Sequence, residues 1–547
     1  MFLFFQPLLA EDLSPYTYKK TNVLKPFWRN EPVIGRWLSG GQGLITIPKY
    51  IQDTSFPYKK RDYKKEVPFA DGLNVVRLLG GWDYSKKRGE LNGQKDADLV
   101  YIENNQLRYR WDLLKKRLDP YISMGYTDLT LVLDNIPWDF PKKPKLGRMG
   151  QINPPYSMSK WAEFIEAMCK ALVHIYGKKT VEHFRFRVGT ECQSRVRFNG
   201  TLSEYSDLYR STVKAVHRVL PDAAIAPFNF AGSKGQMYKA NIDMKKFVLL
   251  LNKNHHGFKE MIDFLAVSTY YVVRKKHKRN IKKLLDARTV ANRKYFNSLF
   301  ETMGQVVPKE IHEFGILNYT LPGIESDEPG VRGTAWRMYM IQNMMENNIS
   351  RLYHWETFDQ IGKDKYLLKG NGWLYAVLDQ LAGGEAYSLP VVTEDAVHHK
   401  TLLVKKGKRI YLLTTIFPDE RDAKFEKNIT LSVSSELLPI GQLKTKQWTY
   451  LTSQTSVIDV IHNDFLAKGF LTPGFLSDLN VVGRVNIMGG TKSRSYMFKN
   501  WDHYTKIIAN SLTLKPFTER LKQKDGLIQI DMAVHVPSVN VIVFTLK

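Results

Sequence analysis

The residues best placed to do chemistry lie in two short stretches, Arg187-Val-Gly-Thr-Glu-Cys192 and Lys309-Glu-Ile-His-Glu-Phe-Gly315. Each is a β-rich run leading into a glutamate, Glu191 or Glu313. Where strands and helices alternate around a barrel, residues at the carboxyl ends of the strands converge on one face. Two carboxyls meeting there are what cleavage of a glycosidic bond requires. One protonates the leaving oxygen, and the other attacks or activates water. Asp134 and Asn135 close a third apolar run and Glu356 a later one, so these three are expected as ligands for sugar hydroxyls. Glu310 lies earlier in its run and reads as a structural ion pair. His312 should point away from Glu313, because neighbouring strand residues alternate faces.

These glutamates need a scaffold, and the apolar pattern supplies one. Strands are expected at 43–47, 74–79, 129–134, 183–189, 223–228, 262–268, 306–313 and 351–356. Most are continuous apolar runs of the kind buried on both faces in a parallel sheet. Helical spacing appears at 111–124, 159–176, 203–219, 332–347 and 373–381, and Thr201-Leu-Ser-Glu204 has the form of a capping box. Eight strand–helix units predict an α/β fold, a (β/α)8 TIM barrel over 66–385. After Gly383-Gly384 short alternating strands with no long helix predict an accessory β-sandwich over 386–547. Residues 13–65 read as an extended region that leads into the first barrel strand and adds strands to the sandwich. Residues 1–12 have the apolar run of a clipped export signal without its basic start, which fits a secreted or periplasmic protein.

Composition narrows the partners. The 547 residues include 80 Lys and Arg against 54 Asp and Glu, a net charge of +26. Such an excess bears on partners more than on fold, and points to a polyanion. No helix-turn-helix, zinc spacing or RNA-binding signature is present, so nucleic acid is not the expected partner. No apolar stretch is long enough to span a membrane. The two cysteines, Cys169 and Cys192, exclude a disulfide framework. No His/Cys/Asp cluster has metal-ligand spacing, and no cofactor is expected.

Taken in order, Arg110-Trp-Asp112, Ser159-Lys-Trp161, the strand ending at Glu191, Ser203-Glu-Tyr-Ser-Asp-Leu-Tyr209, Asp263-Phe-Leu-Ala-Val-Ser-Thr-Tyr270, Glu310-Ile-His-Glu313 and Tyr353-His-Trp-Glu-Thr-Phe358 resemble glycoside hydrolase family 39. The resemblance runs from about residue 70 to 385, and Val536-Pro-Ser-Val539 resembles the family's last sandwich strands. That family contains β-xylosidases and α-L-iduronidases. The resemblance implies a retaining hydrolase with Glu191 as acid/base and Glu313 as nucleophile. It further implies Tyr270 as the hydrogen-bond partner of the nucleophile and Trp355 as the floor under the sugar. One departure stands out: the related enzymes usually have Asn before the acid/base and Pro after it, where this chain has Thr190 and Cys192. That Asn normally binds the sugar's 2-hydroxyl. Threonine there implies an unusual sugar, substituted at position 2 or a 3,6-anhydro ring, or else a barrel that binds glycans without cleaving them.

The basic residues cluster after the expected strands. Trp82-Asp-Tyr-Ser-Lys-Lys-Arg88 follows the second, and Trp138-Asp-Phe-Pro-Lys-Lys-Pro-Lys-Leu-Gly-Arg148 the third. Arg195 and Arg197 follow the fourth, and Arg274-Lys275-Lys276-His277-Lys278-Arg279 the sixth. On a barrel these loops crown the catalytic face. Arg148, Arg195, Arg197, Arg274 and Lys275 are therefore expected to bind an anionic glycan, with Trp82 and Trp138 as stacking platforms. A sulfated galactan of the carrageenan or agar type fits best, and uronic-acid glycans and xylosides are the alternatives.

Overall fold

The computed structural model describes residues 19–21, 28–29, 74–81, 97–123, 128–147, 150–231, 241–254, 261–274, 276–319, 328, 330–354, 359–361, 366–368, 370–381, 383–470, 495–497 and 499–547. Its centre is a closed barrel of eight parallel strands. In chain order these are β1 (Trp28–Arg29), β2 (Asn74–Arg77), β3 (Leu129–Leu133), β4 (Arg185–Thr190), β5 (Ile225–Ala231), β6 (Leu265–Arg274), β7 (Lys309–Tyr319) and β8 (Ile349–His354). Each pairs with the next, and β8 closes on β1 through Tyr353 opposite Trp28 and His354 opposite Arg29. The β3 strand is buried at all five positions, as its unbroken apolar run requires.

The first strand differs from expectation. Residues 43–47 lie outside those described, and the place between β8 and β2 is taken by Trp28–Arg29. A two-residue pairing has no periodicity to reveal it.

Helices follow the strands from β2 onward. They are Trp111–Ser123, Met158–Tyr176, Leu202–His217, Met244–Asn254, Ile281–Met303, Val331–Glu346 and Gly370–Leu381. The helix after β4 opens on the expected capping box: Thr201 accepts from the Glu204 backbone and Glu204 returns the bond. It turns Tyr205, Leu208, Tyr209 and Val213 into the core. Met244–Asn254 and Ile281–Met303 were not foreseen. Lysines interrupt both, joined in the second by Arg288 and Arg293, so their apolar stripes are thin in the sequence.

Beyond the barrel, two antiparallel sheets face each other. The larger joins Glu385–Ser388, Val397–Lys406, Arg409–Pro418, Ser538–Leu546, Leu443–Leu451 and Lys515–Pro516. The smaller joins Phe425–Ser434, Leu527–Val536 and Leu521–Lys524. Ile429, Leu431, Ile528 and Ile530 pack against Leu403, Leu412 and Ile542 to make the sandwich core. Lys19–Thr21 adds a strand to the larger sheet, antiparallel to Glu385–Ser388. The expectation of no long helix here is corrected. Val457–Ala467 and Trp501–Leu512 are helices, sharing a small core of Ile461, Phe465, Trp501 and Tyr504. The β-branched run Val457-Ile-Asp-Val-Ile461 carries no helical signal of its own, so packing decides its state.

Sandwich and barrel are bonded together. Lys400 pairs with Glu346 at 2.7 Å, and the Thr415 hydroxyl donates to the Ala335 carbonyl at 2.6 Å. Among the described residues no helix is long and apolar enough to cross a membrane.

Candidate active site

Both glutamates stand where their strands stop being regular. In β4, Gly189 has φ +90° and Glu191, just past the strand, has φ +49°. A side chain at 189 would bring its Cβ to 2.5 Å from Cys192 Sγ, so the bend demands glycine. Positive φ at a non-glycine residue is costly and tends to occur where function holds the backbone. The Glu191 amide donates to the Asn229 carbonyl at 3.2 Å, which ties the bend to β5. In β7, the ladder to β6 slips between Ile311 and Glu313, a bulge that leaves His312 unmatched.

That bulge overturns the alternation expected for His312 and Glu313. His312 reaches across the barrel interior to Arg187 of β4, while Glu313 is engaged from β5 and β6. One extra residue changes the parity, so consecutive side chains both face inward.

Glu313 is only 4% exposed. Tyr270 donates its hydroxyl to Oε2 at 2.8 Å, and Asn229 donates its amide to Oε1 at 3.2 Å and to Ser268 Oγ at 2.7 Å. Burial, reinforced by the charge of Glu191, pushes the Glu313 carboxyl up to about 7, against the pull of Arg197, Tyr270 and Arg187. Arg197 Nη2 lies 3.8 Å from Glu191 Oε2, with the two side chains 12% and 18% exposed.

Beneath the glutamates a polar chain crosses the barrel. Arg187 donates to the Gly189 carbonyl at 3.2 Å, to Thr190 Oγ1 at 2.8 Å and to His312 Nδ1 at 2.8 Å. His312 in turn meets Glu310 at 2.8 Å, and Glu310 forms an ion pair with Arg185 at 2.6 Å, the structural role its position indicated. Burial acts to raise the Glu310 carboxyl, but Arg185 and His312 outweigh it and hold the group near 2. Burial lowers His312 to about 4, so its ring is neutral near pH 7.

The remaining expected residues separate. Asp134 is engaged by Arg77, which holds it by Nε at 2.9 Å and Nη2 at 2.8 Å and also donates to Asn135 Oδ1 at 3.2 Å. The pair lies at the end of β3 and braces it against β2. Thr190, Arg197, Asp134 and Asn135 line one pocket together with Ile152 and Cys192. Arg195 is exposed and donates to Asn241 at 3.1 Å.

Trp138 is corrected outright. At 2% exposure it belongs to the interior and cannot stack on a sugar. Its amide donates to Asp98 Oδ2 at 2.6 Å, and the Gly81 amide donates to Oδ1 at 2.6 Å. The loops after β2 and β3 are therefore cinched together on one buried carboxyl. Arg274 ends β6 exposed, and its segment rests on the sandwich: Arg421 donates to the Lys278 carbonyl at 2.8 Å and Ile281 to that of Asp419 at 3.3 Å. Trp82, Arg148, Lys275, Trp355 and Glu356 lie outside the described residues. Asn229, Arg187 and His312 were missed by the sequence reading. An amide inside the apolar run Ile225–Ala231 was the available signal for Asn229.

The model of glycosyl hydrolases family 39 matches residues 56–317. An alpha-1,4-L-rhamnosidase of Formosa agariphila is 22% identical over 292 residues, covering 51% of this chain and 56% of its own length. A beta-xylosidase of Caldicellulosiruptor saccharolyticus is 35% identical over 71 residues, covering 13% of this chain and 14% of its own. The chain thus spans little more than half the length of the first of these curated relatives and far less of the second. Among solved structures, a monomeric beta-xylosidase from Caulobacter crescentus CB15 superposes with a TM-score of 0.61 at 12% identity, covering 96% of this chain and 98% of that one. At that identity the likeness is one of fold.

Proposed function

We propose that this chain is a glycoside hydrolase of the family 39 type, a reading that the match over residues 56–317 supports, and that it cleaves glycosidic bonds with retention of configuration, Glu313 acting as nucleophile and Glu191 as acid/base. The observation that carries the roles is the unequal seating of the two carboxyls. Glu313 is buried and gripped by two neutral donors, while Glu191 is more open and carries no such pair among the described residues. In the first step the Glu313 carboxylate attacks the anomeric carbon as the bond to the leaving oxygen breaks. Glu191 gives its proton to that oxygen, and the aglycone departs as an alcohol. In the second, Glu191 as carboxylate takes a proton from water, whose oxygen attacks the anomeric carbon and releases Glu313. The Thr190 hydroxyl accepts from Arg187 and keeps its own proton for a sugar hydroxyl or substituent.

The substrate we favour is anionic, a sulfated galactan of the carrageenan or agar type. Arg197 supports this reading: it stands beside Glu191, and its Nη1 is buried without a hydrogen-bond partner among the described residues. A sulfate oxygen would satisfy that donor. Exposed Arg195 and, after β3, exposed Lys142, Lys143 and Lys145 add positive charge on the same side of the barrel. A uronic carboxylate is the second reading, because a guanidinium accepts it equally well in paired geometry. The beta-xylosidase and alpha-1,4-L-rhamnosidase relatives make neutral glycosides the necessary control.

The test is a product screen of wild type and Glu313→Gln on carrageenans, agars, porphyran, fucoidan, glycosaminoglycans and xylan, with released sugars sized. Turnover of sulfated material alone, absent from the variant, supports both parts of the proposal. Turnover of xylan alone removes the anionic substrate. Polyanion binding with no cleavage of any substrate removes the hydrolase and leaves a glycan-binding barrel.

A further inference from the structure

We propose that Arg187 and His312 form a strut that sets the separation of Glu191 and Glu313. This rests on the reading of those glutamates as the reacting pair.

β4 and β7 are not neighbours; β5 and β6 stand between them. Each ladder is interrupted just before its glutamate, by the bend at Gly189–Glu191 and by the bulge at His312, and the β7 ladder resumes at Glu313. Neighbouring-strand bonds hold each glutamate to its own side, so the contact that crosses the barrel between the two breaks comes from side chains. A retaining pair needs its carboxyls about 5–5.5 Å apart, and a working site tolerates roughly 0.5 Å of error.

Arg187 and His312 span that gap. One guanidinium holds the β4 bend twice, at the Gly189 carbonyl and at Thr190 Oγ1, and then crosses 2.8 Å to the residue preceding Glu313. Arg187 is 2% exposed and His312 fully buried, so no water competes for these bonds. The polarity of the strut is determined. Arginine only donates, so Nδ1 of His312 must accept, and Nε2 carries the hydrogen toward Glu310. Phe264 and Tyr353 wall the imidazole, with ring centroids 5.7 and 4.8 Å away, and Arg185 and Glu310 are the charges nearest it besides Arg187. A protonated ring would turn an N–H toward the guanidinium and break the strut.

The experiment reads the spacing without turnover. With 13C-carboxyl glutamate, the two groups are titrated by NMR, assigned through Glu191→Gln and Glu313→Gln. Wild type is compared with His312→Leu, which removes the acceptor, and His312→Asn, whose side-chain oxygen stands near the place of Nδ1. The strut predicts that in His312→Leu the two apparent pKa values draw together by about one pH unit, because separated carboxyls repel less. His312→Asn should restore most of the gap. With an activated aryl glycoside, kcat of His312→Leu should fall about 100-fold with KM changed less than threefold.

An unchanged gap in His312→Leu, with only a lower Tm, overturns the strut. If His312→Leu does not fold, Arg187→Lys, which loses the bond pair at the bend, takes its place under the same criteria. The titration needs no substrate. A protein that hydrolyses nothing would end the proposed function and still decide the strut.

Discussion

Tyr270 and Glu313 meet at 2.8 Å, the phenol donating to a carboxyl oxygen that is otherwise buried. The bond runs between neighbouring strands, from the sixth of the ten residues of β6, with Tyr270 lying opposite Gly315. Position and charge are therefore controlled by one contact. The phenol favours the ionised carboxylate, whereas burial and Glu191 favour the neutral form.

Replacing Tyr270 by Phe removes a donor that lowers the Glu313 carboxyl. The acid limb of the rate profile should move to higher pH, and kcat should drop about 10- to 100-fold through lost positioning. A pH–rate series on one aryl glycoside measures both. An acid limb that stays in place would show that the phenol orients Glu313 without tuning it.

The two glutamates should fail differently. Glu313→Gln is expected to abolish turnover of every substrate. Glu191→Gln should lose about 100- to 10,000-fold on poor leaving groups, keep the first step on activated ones, and recover with azide as a glycosyl azide of retained configuration. Azide giving the inverted product from Glu191→Gln would exchange the roles.

Trp138→Ala tests whether that residue serves the core or the substrate. A core tryptophan truncated to alanine costs about 3–5 kcal/mol, whereas loss of an exposed stacking platform would weaken substrate binding and leave stability alone. Chemical denaturation at neutral pH separates the outcomes, and a large stability loss is expected.

Stability should decline on acidification in two stages. His312 is lowered from 6.5 to about 4, so between these values the unfolded chain binds the proton and the folded one does not. Stability from His312 is full above 6.5 and is lost as pH falls toward 4. Glu310 is lowered from 4.5 to about 2 and extends the loss below 4.5. Glu313 has the opposite sign, since its folded carboxyl is raised: it favours the folded state at low pH and loses that contribution as pH rises through about 7. Urea unfolding at pH 7.5, 5.5 and 4.5 should therefore show a shallower acid decline between 6.5 and 4.5 in His312→Asn than in wild type.

How much of this was readable can be judged residue by residue. Strands β2 to β8 were legible because burial on both faces writes them as continuous apolar runs. Trp28–Arg29 was not, because two residues have no period and the pairing is made by partners distant in the chain. Trp138 stood beside lysines and looked like loop chemistry; Asp98, far from it in sequence, draws its backbone inward. Asp134 showed the right type at the right strand end, but its partner Arg77 lies on another strand. The direction of His312 could not be read, since a bulge is one inserted residue with no composition of its own.

Lys19–Thr21 precedes the barrel in the chain, yet the strand it pairs with, Glu385–Ser388, follows it. The barrel is thus a long loop fastened at its neck like a buckle. On the ribosome the leading strap must wait, unmated, until the whole barrel has emerged and the clasp arrives. A version shortened to end at Leu381 would keep every barrel strand and lose the fastening, leaving Lys19–Thr21 with nothing to close on.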